Sequence, residues 1–376
     1  FALMMKVDQY DEIHFTTYYK YGDFVKSSIK KCIISSLKKK QKYIELDSWN
    51  FLIIDLEGDA EDAKNLFQCI TNSINQLLND KKQKIYFSIA AGAIELSKEF
   101  YSYDRVLECL NFSLNRAEGF NGNKFYLFDM QHYIRLKRKE EILKHIYWAI
   151  NHDFEGFELY YQPIIDINTK SIITLEALLR LKMKDEYIQP KEFISLLEQT
   201  HLILPVGRWV LKTAMESWKE LQQLIPGLKM NVNMSFVQVN QNNSVQMIID
   251  IIKEIDTTLL GIEITETGEL NSNQYYNFCI GLEKGKRALI LDDYGSGFSN
   301  VHRLTAAKPQ YIKIDHSFTK HIIKSDYYRK ILKNTITDVI KSLGADYMQG
   351  CLFARPMDKH SFIKNHKRMS ENFLNN

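Results

Sequence analysis

Apolar residues follow two different rhythms along the chain, and the change comes near residue 150. Phe1 to Val7 is a short, mostly apolar run that predicts a strand, and a helical stretch follows from Gly22-Asp23 to about Leu37. Tyr43 to Leu56 holds two apolar runs around a polar tip, Asp47-Ser48-Trp49-Asn50, which predicts a hairpin. Between Ala60 and Leu78, Ala63, Leu66, Ile70 and Ile74 recur at the spacing of one helix face. Ile85 to Ile94 alternates as a strand does, Tyr103 to Arg116 reads as a helix ending near Gly119, and Lys124 to Phe128 as a last strand. The order strand, helix, hairpin, helix, strand, helix, strand predicts an α+β domain over residues 1–128. Residues 129–150, rich in Lys, Arg and Glu with apolar positions at helical spacing, predict a connecting helix.

From residue 151 to 376, short apolar runs alternate with helical patterns. The strand-like runs are Phe157–Pro163, Ile172–Leu178, Lys229–Met234, Leu260–Thr265, Ala288–Leu291 and Tyr311–Ile314. Pro190–Glu198, Val206–Leu224 and Val245–Ile255 read as helices between them. Repeated β-α units with apolar strands predict a parallel sheet closed as an α/β, TIM-like (β/α) barrel, whose reactive residues stand at strand C-terminal ends. Nearly every run here ends in a polar residue: Gln162, Glu176, Asn233, Glu263, Asp292 with Asp293, and Lys313.

Composition narrows the function classes. The chain of 376 residues, 45% hydrophobic and 25% charged, is long enough for two globular cores. A net charge of +3 argues against nucleic acid as the main partner. The five cysteines are scattered without C-x-x-C spacing, which fits thiols in a reducing cytoplasm better than a disulfide frame or a zinc site. No apolar run approaches the roughly 20 residues of a membrane span. The chain opens on Phe1 inside an apolar strand, so an upstream sensor or anchor is expected in the natural protein.

The polar strand ends carry the chemistry. Four carboxylates, an amide and a lysine on one rim would repel unless cations neutralised them. Oxygen-only ligands suit Mg²⁺ or Mn²⁺, and adjacent Asp292 and Asp293 are a natural way to reach two such ions. A nearby lysine can orient water and stabilise developing negative charge. Arg180, read as one helical turn past Glu176, is placed to grip a phosphate. Singly, each has an ordinary reading as a turn, cap or surface residue; their succession on consecutive runs does not.

These residues resemble the EAL domain of bacterial cyclic di-GMP phosphodiesterases. The matching pieces are Tyr161-Gln162-Pro163-Ile164, Glu176-Ala177-Leu178-Leu179-Arg180, Asn231-Val232-Asn233-Met234-Ser235, Glu263-Ile264-Thr265-Glu266, Leu291 to Ser299, Tyr311 to Asp315 and Gln349 to Pro356. The resemblance implies metal-dependent hydrolysis of cyclic di-GMP to linear pGpG, and a homodimer through this domain. It implies that Glu176, Asn233, Glu263 and Asp292 hold one metal, that Asp292 and Asp293 serve the second, and that Lys313 assists the attacking water. It further makes Gln162, Arg180 and Gln349 substrate contacts and Glu266 the residue that steadies the loop after Asp293.

One departure stands out. Between Lys313 and Gln349 the chain is roughly twenty residues shorter than the family pattern, and the seventh barrel strand has no candidate. The family's Ala-Glu-Gly-Val-Glu run belongs near Thr337 and Asp338, which here adjoin. Either that segment exists in the natural protein, or the protein is shortened and acts as a cyclic di-GMP receptor working through a partner.

The N-terminal half resembles a degenerate GGDEF domain, on Val7-Asp8-Gln9-Tyr10, Gly22-Asp23, Phe87-Ser88-Ile89-Ala90 and Asn115 to Gly119. Its hairpin tip reads Asp47-Ser48-Trp49-Asn50-Phe51 where the family has Gly-Gly-Asp-Glu-Phe, and Lys6 stands where a metal-side acid is expected. Diguanylate cyclase activity is therefore not expected. A structural or dimerising role and a nucleotide-sensing role, with GTP as the ligand, both stay open.

Overall fold

The computed structural model describes residues 1–8, 19–47, 49–80, 88–96, 102–118, 124–166, 169, 171–251, 259–265, 272–294, 309–314, 347–349 and 354–375. Its contacts divide the chain into two compact units, residues 1–138 and 139–376.

The first unit contains β1 (Ala2–Asp8), α1 (Tyr19–Ser36), β2 (Lys42–Glu45), β3 (Asn50–Ile54), α2 (Ala60–Asp80), β4 (Ser88–Ile94), α3 (Tyr103–Ala117) and β5 (Lys124–Leu127). The strands form one sheet in the order β2-β3-β1-β4-β5, with β1 antiparallel to both β3 and β4. β1 lacks polar alternation because both of its faces are covered. Leu3, Met5 and Val7 pack with Ile29, Ile33, Phe67 and Ile70 of α1 and α2, while Ala2 and Met4 pack with Leu110 and Leu114 of α3. The tip between β2 and β3 is tied by Asp47, whose Oδ1 accepts the backbone N–H groups of Trp49 (2.8 Å) and Asn50 (2.9 Å). Asp47 Oδ2 also accepts the Asn50 side-chain amide at 2.6 Å. Trp49 packs against the α1–α2 side of the core.

A long helix, α4 (Met130–Asn151), begins in the first unit and ends in the second. The second unit continues with β6 (Phe157–Asp166), β7 (Ile172–Met183), β8 (Glu186–Ile188), α5 (Pro190–Gln199), α6 (Ile203–Leu224), β9 (Lys229–Asn233), α7 (Phe236–Val239) and α8 (Ser244–Ile251). After these come β10 (Leu260–Thr265), α9 (Ser272–Lys284), β11 (Ala288–Tyr294), β12 (Tyr311–Ile314), β13 (Tyr347–Met348), β14 (Met357–Asp358) and α10 (Lys359–Asn375). The strand order is β12-β11-β10-β9-β7-β6-β13, with β8 beside β7 and β14 beside β6. β7, β9, β10, β11 and β12 run parallel. Between them, helix faces carrying Phe193, Val210, Ala214, Trp218 and Phe278 cover the sheet.

The expected all-parallel barrel needs correction at its first strand, because β6 runs antiparallel to β7. Only residues 167–171 separate the two, too few for the crossover that a parallel pair requires. The sheet nevertheless curls on itself. The rings of Tyr311 on β12 and Tyr347 on β13, at opposite ends of the strand order, meet edge to face with centroids 5.5 Å apart. The missing seventh strand and the Thr337–Asp338 junction lie outside the described residues. Among the described residues, no helix is long and apolar enough to cross a membrane.

Candidate metal centre

Strand pleating places alternate residues on one face. The parallel register sets Glu176 beside Asn231 and Ala177 beside Val232, then Glu263 beside Asn233 and Thr265 beside Asp292. Glu176, Asn231, Asn233, Glu263 and Asp292 thereby project into the interior of the curled sheet, and Lys313 reaches them from β12.

Glu176, Glu263 and Asp292 each bring a carboxylate oxygen within 4.8 Å of the others. Glu176 and Glu263 are buried, Glu263 completely so. Lys313 Nζ lies 2.7 Å from Glu176 Oε2, 2.7 Å from Glu263 Oε2 and 3.6 Å from Asp292 Oδ2. Glu176 Oε1 accepts Asn233 Nδ2 at 2.7 Å, and its Oε2 also accepts Gln349 Nε2 at 2.6 Å. Gln349 Nε2 further donates to Gln162 Oε1 (3.0 Å), while Gln162 Nε2 donates to the Ala354 carbonyl (3.0 Å).

Three acids share one ammonium, and their ionisation shows the imbalance. Burial pushes Glu263 up to about 8, and the neighbouring Glu176 charge adds to the effect. Burial raises Asp292 as well, against the pull of Lys313. Burial opposes ionisation of Glu176 too, but Lys313, together with donors from Gln349 and Asn233, holds it below the usual carboxylate value. Lys313 is raised: burial disfavours its charge, but Glu263, Glu176 and Asp292 outweigh that. Two buried, incompletely neutralised carboxylates and a third beside them form a donor set that fits a hard divalent cation.

The remaining expected residues fall differently. Asp293 follows Asp292 on β11 with φ 55°, in the left-handed region, and its N–H donates to Asp292 Oδ1 at 2.9 Å. Its carboxylate does not belong to the triad. Arg180 does not sit a helical turn from Glu176: both lie on β7, four residues apart on the same face, with their Cα atoms roughly 13 Å apart along the strand. There it covers the Tyr160 ring, 5.4 Å from the centroid, and donates to the Leu179 carbonyl. Glu176 is mid-strand, because β7 continues to Met183. Glu266 lies outside the described residues. Sequence reasoning missed Asn231, which donates to Glu263 Oε1 at 2.8 Å. The signal was present in Asn231-Val232-Asn233, since residues two apart on a strand share a face.

A family model described as the EAL domain matches residues 149–345, more than half of the sequence. The chain belongs to the EAL domain family. No second domain family is matched in residues 1–148, which hold the five-stranded sheet described above. Over 261 residues, 61% of its length, this EAL chain is 31% identical to the "Probable cyclic di-GMP phosphodiesterase PdeI" of Escherichia coli (strain K12), covering 33% of that protein. It is 25% identical to the "Oxygen sensor protein DosP" of the same organism over 90% of its own length and 43% of that protein's. The chain thus spans less than half the length of these curated relatives. Among solved structures, "PaMucR Phosphodiesterase, c-di-GMP complex" aligns with TM-score 0.52 and 23% identity, covering 58% of this chain and 99% of that one. This likeness shows the fold.

Proposed function

We propose that the C-terminal unit of this EAL chain is a metal-dependent phosphodiesterase that opens cyclic di-GMP to linear pGpG. The observation that carries this is the triad of buried Glu176 and Glu263 with half-buried Asp292, gathered around Lys313. Relatives named as cyclic di-GMP phosphodiesterases support the substrate.

Glu176, Asn233, Glu263 and Asp292 would hold Mg²⁺ or Mn²⁺, with Asp292 and Asp293 serving a second ion. Such ions supply hydroxide at neutral pH and neutralise charge on a phosphodiester. The chain's own residues do the rest. Lys313, held cationic, orients the attacking water and stabilises the negative charge that builds on the phosphoryl oxygens. As water oxygen bonds to phosphorus, the bond to the 3′ oxygen breaks, and that oxygen gains a proton. Arg180 grips the phosphate not under attack, and Gln162 and Gln349 contact the ligand. Gln349 Oε1, buried without a partner among the described residues, offers an acceptor. Glu266 steadies the loop after Asp293.

Residues 1–128 serve in this reading as a degenerate GGDEF-like regulator joined by the helix over 129–150 to the catalytic domain at 151–376. Purified chain incubated with cyclic di-GMP and Mn²⁺ or Mg²⁺ should release pGpG; no product from metal-loaded protein would overturn the proposal. A second reading is a receptor without turnover, favoured by the shortened stretch between Lys313 and Gln349. Calorimetric binding of cyclic di-GMP with no hydrolysis would support it instead.

A further inference from the structure

We infer that Asn231 is a positioning residue for the metal centre, and that Gly261 provides the recess in which it works. This rests on the metal-site reading above. Asn231 and Gly261 are direct neighbours in the β9–β10 register, and Gly261 lies two residues before Glu263 on the same face. Asn231 is buried, and its Nδ2 donates to Glu263 Oε1 at 2.8 Å. With Glu263 ionised, as a metal-ligating carboxylate is, only the amide's NH₂ can face it. The amide oxygen then points to Gly261, where a Cβ would come within 2.4 Å of it. Any larger residue at 261 would push the amide away from Glu263.

The consequence concerns which oxygen of Glu263 is free. The terminal torsion of a glutamate is broad, so a carboxylate pressed by two like charges turns readily. Here Asn231 anchors Oε1, while Oε2 contacts Lys313, which also bonds Glu176. The amide carries no charge, so it orients the ligand without competing for a cation. Asn233 is different: it is exposed and donates to Glu176. A partner that orients a carboxylate ligand in this way typically contributes about 10–100-fold to metal affinity.

Calorimetric titration of metal-stripped full chain with Mn²⁺ tests this. Asn231→Leu, which keeps the branched heavy-atom skeleton and removes the donor, should weaken Mn²⁺ binding by about tenfold or more. Gly261→Ala should weaken it similarly, but add little in an Asn231→Ala background, where the recess is already empty. The added methyl also meets Ile290 Cδ1 at 2.5 Å, a cost common to both backgrounds that cancels in the cycle. Asn231→Ala and Gly261→Ala read the same quantity if the leucine variant fails to fold. Mn²⁺ affinity within twofold of wild type in the Asn231 variants would overturn the inference alone. A wild-type chain that takes up no Mn²⁺ would overturn the metal-site reading, and this inference with it.

Discussion

Lys313 lies half-buried among three acids that would otherwise repel one another. Its ammonium makes two 2.7 Å contacts, with Glu176 and Glu263. Replacing it with methionine leaves buried carboxylates without a counter-charge, a change that typically costs about 3–5 kcal/mol. Lys313→Met should therefore lower stability in urea by an amount of this order, and a loss under about 0.5 kcal/mol would show that the ammonium does not balance the acids. Asp292→Asn acts on a different quantity. It removes a carboxylate that would hold the metal, and turnover should fall on the order of a thousand-fold or more. Initial rates at saturating Mn²⁺ check it; activity within a few-fold of wild type would place the metal site elsewhere. Glu263, Asp292 and Lys313 were legible in the sequence because each closes or nearly closes an apolar run, and Glu176 because Glu176-Ala177-Leu178-Leu179-Arg180 matches the EAL pattern. Asn231 was not, because its task depends on the Gly261 recess across the strand, which only the register reveals.

The elements show where sequence periodicity succeeds and where it misleads. Strands β10 and β12 fall on the expected spans, Leu260–Thr265 and Tyr311–Ile314. β7 runs five residues past the expected Leu178, because the backbone of its later residues pairs with β8 and β6 rather than turning into a helix. That error put Arg180 at helical pitch from Glu176. The helix α10 went unread although Phe362, Ile363 and Met369 share a core-facing stripe, because these few apolar residues are dispersed among many charged and polar ones. Two predictions belong to this scale. In β4, a Cβ on Gly92 would lie 2.3 Å from the backbone nitrogen of Leu114 on α3. Backbone cannot yield as a side-chain tip can, so Gly92→Ala should destabilise the first unit by about 1–3 kcal/mol, read from denaturant melts. Between α3 and α4, the Tyr133 hydroxyl, then Lys137 and Arg105, hold the Glu108 carboxyl down to about 2. A depressed acid stabilises the fold above its ordinary value of 4.5, and that share fades as pH falls toward about 2. Its side chain is 42% exposed, so solvent screening limits the effect to roughly 0.2–1 kcal/mol. Glu108→Gln should thus be less stable than wild type near about pH 6 and indistinguishable from it near about pH 2. A difference that grows on acidification would contradict the ion-pair account.

At the scale of the whole molecule, the order of elements in the first unit was legible because its helices and strands each have a core face, whereas in the second unit β8, β14 and α10 went unread. Closure of the sheet was expected from the repeated β-α units, but the antiparallel direction of β6 and the Tyr311–Tyr347 contact between distant segments were not. The two units also differ in chemistry, and that difference carries a last prediction. A nucleotide cyclase built on the first unit would need open backbone N–H groups at the β2–β3 tip to receive phosphates, and acids to hold their metal. Here the Asp47 carboxylate occupies the N–H groups of Trp49 and Asn50, so a negative charge stands where an anion would approach. Lys6, in place of an expected acid, is paired with Glu118 at 2.9 Å. Releasing the Asp47 bonds would break the turn, and bringing a triphosphate beside that carboxylate adds repulsion. The chain supplied with GTP and Mg²⁺ or Mn²⁺ should therefore form no cyclic di-GMP, measured with Asp292→Asn so that any product made is not consumed. Accumulation of cyclic di-GMP in that variant would mean that the tip opens in solution and that the first unit is itself a catalyst.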